Sequence, residues 1–159
     1  MPKGGSSAKR PDFQDVPAAR RRNMAAIKGR DTRPELRVRR LLHRLGYRFR
    51  LHRRDLPGTP DIVLPGRHLV IFVHGCFWHR HGCNKSVLPQ IRTEWWEGKL
   101  NRTVERDAQN IAALEELGWD VLVVWECTLG NEAALQSKFR VALGPPGLAR
   151  FRECASGPT

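Results

Sequence analysis

Two uninterrupted apolar runs restrict what this chain can fold into: "HLVIFVHG", residues 68–75, and "WDVLVVWEC", residues 119–127. A strand with water on one face alternates apolar with polar residues, so continuous runs like these belong in the middle of a sheet covered on both faces. Between them Leu100, Val104, Ala108, Ile111, Leu114 and Leu117 recur at helical spacing and Gly118 closes the pattern, which predicts a long amphipathic helix over 100–117. Upstream, "DTRPELRVRRLLHRLGYRF" offers Asp31 and Thr32 as caps and sets Leu36, Leu41, Leu42 and Leu45 on one helical face before Gly46. "YRFRLH" alternates as a strand, "LPGTPD" is a turn, "DIVL" is a short buried strand, and a last helix is expected near 131–143. The order helix, three strands, helix, strand, helix predicts an α/β fold with a mixed central sheet flanked by helices.

The chain has 159 residues, the size of one compact domain. Residues 1–20 are rich in Gly, Ser, Pro and Arg without apolar pattern and are expected to form a disordered basic arm. An ordered domain is expected over 21–143 and a loose tail over 144–159. The loop "VLPQIRTEWWEGKL" is expected to carry the aromatic pair Trp95 and Trp96, while Trp119 and Trp125 are expected in the core.

The net charge is +12, from 28 Lys and Arg, most of them Arg, against 16 Asp and Glu. Guanidinium groups match phosphate geometry, so a phosphate-rich partner is the expectation and a merely solvated basic face is the alternative. No stretch is long and apolar enough for a membrane helix and the first residues lack a signal-peptide core, which predicts a cytoplasmic protein. In a reducing compartment, clustered cysteines point to metal or catalysis rather than to disulfides.

"GCFWHRHGCNK", residues 75–85, crowds Cys76, His79, His81 and Cys83 together, and Cys127 follows the second apolar strand. A structural zinc takes four tetrahedral N and S ligands, and a ligand from a distant strand end would tie that strand to the loop. Spacing alone leaves five candidates for four places, since His79 and His81 are interchangeable. A zinc deaminase needs His-x-Glu with Pro-Cys-x-x-Cys, and a zincin needs His-Glu-x-x-His; both are absent. Cys154, in the tail, is expected to be a free thiol. Asp61 opens the strand "DIVL" and reads either as a turn residue or as a ligand for a hard cation. With His74 ending the next strand and Glu35 on the upstream helix, the second reading gains: these groups can converge to hold Mg²⁺ at a scissile phosphate.

Taken together, "DTRPELRVRRLL", "LPGTPDIV", "VIFVHGCFWHRHGC", "RTEWW", "NRTVERD" and "LGWDVLVVWEC" resemble the very short patch repair endonucleases, DNA mismatch nicking enzymes, in order from about Arg22 to Leu129. The resemblance implies a restriction-endonuclease-like Pro-Asp nuclease core with a structural zinc added. It implies that Asp61 binds catalytic Mg²⁺ and that His79 activates the attacking water. It assigns the zinc to Cys76, His81, Cys83 and Cys127. Glu35, His74 and Asp107 match further polar residues of the active site. Val73 stands where the family usually has threonine, at a position expected to offer the metal its main-chain carbonyl.

Phe77, Trp78 and Trp96 match residues that insert beside a mismatch, and Met24 matches a further inserted residue; aromatic wedges of this kind trade duplex stacking for their own. The arginine-rich stretches "RRRNMAAIKGR", "RVRR" and "RFRLHRR" suit phosphate contacts that read no sequence. The implied activity is nicking of duplex DNA on the 5′ side of the thymine in T:G mismatches left by 5-methylcytosine deamination. Implied with it are a monomer, a nucleoid-associated location, mismatch-repair partners and a cognate cytosine methyltransferase. The competing expectations are a non-catalytic zinc-stabilised DNA-binding module and a general restriction-type nuclease.

Overall fold

The computed structural model describes residues 29–147 without a break, together with 17–19 and 22. Met24, Cys154, most of the expected arm and the tail past 147 lie outside the described residues.

Helix α1, Arg33–Arg44, starts after Thr32, whose hydroxyl accepts a bond from Glu35 N at 3.4 Å. Pro34 falls in the first turn, where its missing N–H would have had no partner in any case. Val38, Leu41 and Leu42 lie on one face and are buried, and Gly46, at φ 87°, turns the chain out of the helix.

Strands β1, Arg50–Leu51, β2, Ile62–Leu64, β3, Leu69–His74, and β4, Asp120–Trp125, form one sheet in the order β1-β2-β3-β4. β1 to β3 pair antiparallel and β3 pairs parallel with β4, so the sheet is mixed. β1 is much shorter than its alternating sequence suggests. His52 takes φ 47°, which ends the strand, and Tyr47 is drawn into the core, where its hydroxyl donates to Gly144 O at 2.6 Å.

β3 is buried along its whole length, as its apolar run requires. Alternate residues serve opposite layers. Leu69, Ile71 and Val73 join the core built with α1 and with helix α3, Glu132–Leu143, whereas Val70 and Phe72 join Leu114 of helix α2, Thr93–Glu116, and Trp119. β4 departs from expectation. It lies at the edge of the described sheet and is only partly buried, its apolar content having suggested a central place. The Lys138 ammonium donates to Val123 O at 2.9 Å at that edge.

The largest correction concerns α2. It begins at Thr93, so Trp95 and Trp96 stand in its first turns and not in a loop. Trp96 and Leu100, four apart and both buried, extend the apolar stripe N-terminally, while Arg92, left-handed at φ 60°, precedes the helix without a side-chain cap; the sequence therefore carried no start signal there. In mid-helix the expected stripe is not covered: Val104 is exposed, and the neighbouring face carries Asp107 and Asn110 toward a cleft. No helix among the described residues is long and apolar enough to cross a membrane.

Candidate functional site

Sheet register brings the site together. β2 runs antiparallel to β3, which sets Asp61, just before Ile62, beside Val73; Val73 N donates to Asp61 Oδ2 at 2.8 Å. Among the described residues Asp61 Oδ1 has no hydrogen-bond partner, so one carboxylate oxygen is held and the other is free. Burial pushes the Asp61 carboxyl up to about 6, and the nearby Glu35 carboxylate adds to the shift. A divalent cation would reverse that cost, which is what a hard-cation ligand in a cleft requires.

One residue beyond Val73, β3 points His74 toward the α2 layer. Its ring stacks on His79, with centroids 3.7 Å apart and planes 4° from parallel. His79 Nδ1 is hydrogen-bonded to Asp107 Oδ2. A carboxylate only accepts, so Nδ1 carries the proton and Nε2 is left as the basic nitrogen. Burial, with the neighbouring His79 second, pulls His74 down to about 4, so it stays neutral near pH 7 and does not repel a protonated His79.

Glu35, Asp61, His74, His79 and Asp107 all line one cleft of about 910 Å³. All five expected catalytic positions thus converge. Glu35 is not a free carboxylate, however. Its Oε1 accepts from the Thr32 hydroxyl at 2.8 Å, and its Oε2 from Asp31 N at 3.0 Å and Arg39 Nη2 at 2.9 Å. Of the roughly four lone pairs of a carboxylate, these bonds leave one, on Oε1, to meet a cation or a water.

Asp31, Glu35 and His52 are spaced like metal ligands, but a guanidinium already stands among them. Arg39 Nη1 lies 2.5 Å from Asp31 Oδ1, and Nη2 lies 2.8 Å from His52 Nε2. A guanidinium only donates, so His52 Nε2 accepts and the ring carries its proton on Nδ1. The Arg39 hydrogen bond holds the Asp31 carboxyl below the ordinary carboxylate range. Arg39 is buried and its Nε has no partner.

Near the ends of β3 and β4, Cys76, His81, Cys83 and Cys127 bring their ligand atoms within 4.8 Å of one another. Parallel pairing of His74 with Trp125 explains why: it sets the ends of β3 and β4 side by side, so the residues just past each end, Cys76 and Cys127, meet. Cys127 N donates to Cys76 Sγ at 3.3 Å, and Cys127 Sγ is 3.4 Å from His81 Nδ1. Ligands at zinc distances around a tetrahedral centre lie roughly 3.4–3.8 Å apart, and three sulfurs with one imidazole form a borderline-soft set, so the residues fit such an ion. The His81 hydrogen bond draws the Cys83 thiol down to about 7, while burial pushes Cys76 up to about 11.

Trp78, which lines the cleft, belongs to an aromatic cluster. Phe77 packs edge-on against Trp78 at 5.1 Å and against Trp96 at 5.4 Å, and Trp95 meets Trp96 at 4.9 Å. Lys99 Nζ lies 5.0–5.3 Å from the Trp78, Trp95 and Trp96 rings. Gly75 permits this: a Cβ there would stand 3.3 Å from Trp78 Cδ1.

Known proteins resemble this one along most of its length. The family model for "DNA mismatch endonuclease Vsr" matches residues 12–85. The DNA mismatch endonuclease Vsr of Escherichia coli K12 is 50% identical over 118 residues, 74% of this chain and 76% of that protein. The chain belongs to the Vsr family. A type II nicking enzyme of Xanthomonas oryzae, V.XorIIP, is 53% identical over 129 residues, covering 81% of this chain and 95% of the relative. A second, V.NmeAIP of Neisseria meningitidis serogroup A, is 42% identical over 115 residues, 72% and 82% of the two chains.

For this member of the Vsr family, sequence reasoning missed several residues at the site. Trp125, expected in the core, stacks on His81 at 4.3 Å and meets the edge of His74 at 5.3 Å, bridging the cysteine cluster and the histidine pair. Glu126, Arg106 and His52 line the cleft. Trp125 and Glu126 could have been found from the parallel register, but nothing local in the sequence marks Arg106 or His52 among so many cations.

Proposed function

We propose that this chain is a Mg²⁺-dependent DNA endonuclease with a restriction-endonuclease-like core. Its substrate is duplex DNA with a T:G mismatch of the kind left by 5-methylcytosine deamination, and it nicks the thymine strand on the 5′ side of that base. The observation that carries the reading is the convergence of Asp61, His79, Asp107, His74 and Glu35 on one cleft, which Trp78 of an aromatic cluster also lines, in a strongly basic member of the Vsr family.

Asp61 Oδ1 and the Val73 main-chain carbonyl are the groups that would hold Mg²⁺. When bound, it supplies Lewis acidity at the phosphate oxygens. His79 Nε2 takes a proton from water as the water oxygen bonds to phosphorus. The bond from phosphorus to the leaving strand oxygen breaks with its electron pair, and solvent protonates that oxygen. Asp107 holds His79 in the required tautomer and stabilises the imidazolium. His74 keeps the ring in plane by stacking, and the Arg39-anchored Glu35 lines the same cleft.

Cys76, His81, Cys83 and Cys127 hold a structural zinc that ties the ends of β3 and β4. Phe77 and Trp78, with Met24 from the N-terminal segment, enter the duplex at the mismatch, where pairing is weakest, and Trp96, buried against Phe77 in the free chain, joins or backs them there. An asymmetric mismatch and a single nick suit a monomer on the nucleoid, serving the sites of a cognate cytosine methyltransferase beside mismatch-repair proteins.

The test is a nicking assay on duplexes carrying T:G, G:C or A:T at one position, in Mg²⁺ or in EDTA. The reading expects cleavage of the T:G thymine strand alone, lost in EDTA and in Asp61→Ala. Equal cutting of all three duplexes removes mismatch specificity, and an Asp61→Ala chain as fast as the parent removes the catalytic assignment.

A further inference from the structure

The cleft that would receive the phosphate is rich in carboxylates: Glu35, Asp61, Asp107 and Glu126 all line it. A phosphodiester carries one negative charge and gains another as water adds, so catalysis there needs fixed positive groups beyond a cation at Asp61. Among the described residues no lysine lines the cleft; the arginines that do are Arg30 and Arg106. Arg39, nearby, is buried and both of its terminal nitrogens are already engaged by Asp31, Glu35 and His52.

Arg106 differs from Arg39 in being free. Its side chain is exposed, and among the described residues no carboxylate or carbonyl binds it. It precedes Asp107, the partner of His79, and stands one helical turn from Asn110, which also lines the cleft. Asn110 is closely packed, since a Cβ on Gly58 would come within 2.9 Å of its side chain, so this face of α2 is pinned against the turn that precedes Asp61. Arg106 therefore enters from the α2 wall, beside the base, while Asp61 and Val73 enter from the sheet.

We propose that Arg106 is a catalytic residue whose guanidinium grips the non-bridging oxygens of the scissile phosphate from the side opposite Asp61. The inference rests on the nuclease reading and supplies that site with a fixed cation on the α2 wall, next to the partner of His79. Two parallel N–H bonds suit a phosphate as a single ammonium would not, and they strengthen as charge builds on the oxygens. The guanidinium is not consumed: the proton from water goes to His79 and the leaving oxygen takes one from solvent.

The experiment is single-turnover nicking of a T:G duplex by the full chain, with Kd measured on the same duplex without Mg²⁺. Arg106→Gln should slow the chemical step by about 10²–10³-fold while Kd changes by no more than about 3-fold. Because Arg106 is exposed, metal content and Tm should match the parent. Arg102→Gln, one turn away on α2 and not lining the cleft, should nick at the parent rate. A parent rate in Arg106→Gln, a loss wholly explained by Kd, or an equal loss in Arg102→Gln overturns the assignment while leaving the nuclease reading intact. A parent chain that nicks no mismatched duplex overturns both.

Discussion

Replacing Asp61 by asparagine should make the metal-free protein more stable, and the pH dependence of that gain tests the site without any assay of cleavage. Burial, then the Glu35 carboxylate, raises the Asp61 carboxyl from 3.8 to about 6. The folded chain therefore holds a proton that the unfolded chain has released between those values, and stability falls as pH rises through that window. At 1.36 kcal/mol per pH unit the ionised carboxylate costs the fold about 3 kcal/mol at pH 7.5 and about 1 kcal/mol at pH 4.5. Asparagine has no charge to desolvate, and its carbonyl can still accept from Val73 N. In buffer without added Mg²⁺, Asp61→Asn should melt roughly 9 °C above the parent at pH 7.5 and only about 3 °C above it at pH 4.5. Millimolar Mg²⁺ should raise the parent's Tm at pH 7.5 and leave the variant's unchanged, because only the carboxylate gains a partner. A variant no more stable than the parent at pH 7.5, or a gap that does not shrink on acidification, would refute the reasoning.

Other perturbations separate the remaining groups. His79→Ala should keep its metal by elemental analysis and lose nicking by about 10²–10⁴-fold, the usual contribution of a positioned base. Cys83→Ala should lose the zinc and melt at a lower temperature; a zinc-free chain of parental Tm would sink the staple between β3 and β4. Arg39→Met should cost about 3–5 kcal/mol in urea unfolding, because it leaves the Glu35 carboxylate, only 4% exposed, without its cation, and a second change, Glu35→Gln, should recover much of that loss. Phe77→Ala with Trp78→Ala should weaken binding to T:G duplex more than to matched duplex in a titration of both; equal weakening would argue against a wedge.

Several parts of this architecture were legible in one dimension because they depend on local pattern. The unbroken apolar run of β3 required burial on both faces, Thr32 and Gly46 bounded α1, and Gly118 bounded α2. The chemistry of the cysteine cluster could also be read, since three thiols and an imidazole suit few ions. Where local signals were missing the reading failed. The uncapped start of α2 hid Trp95 and Trp96 in an apparent loop, and the apolar character of β4 concealed that it lies at an edge.

By itself, then, the sequence marked most of the elements and the supply of ligand types, and its resemblance to the Vsr family implied different roles for His79 and His81. Tertiary structure decided what each group meets. Parallel register of β3 with β4 put Cys127 beside Cys76 and set Trp125 between the cysteine cluster and the histidine pair. Packing of α2 across the sheet gave Asp107 to His79 and turned Arg106 to the cleft. Contacts between residues dozens of positions apart depend on strand order and helix placement, which the packing of the whole core selects and no local spacing encodes.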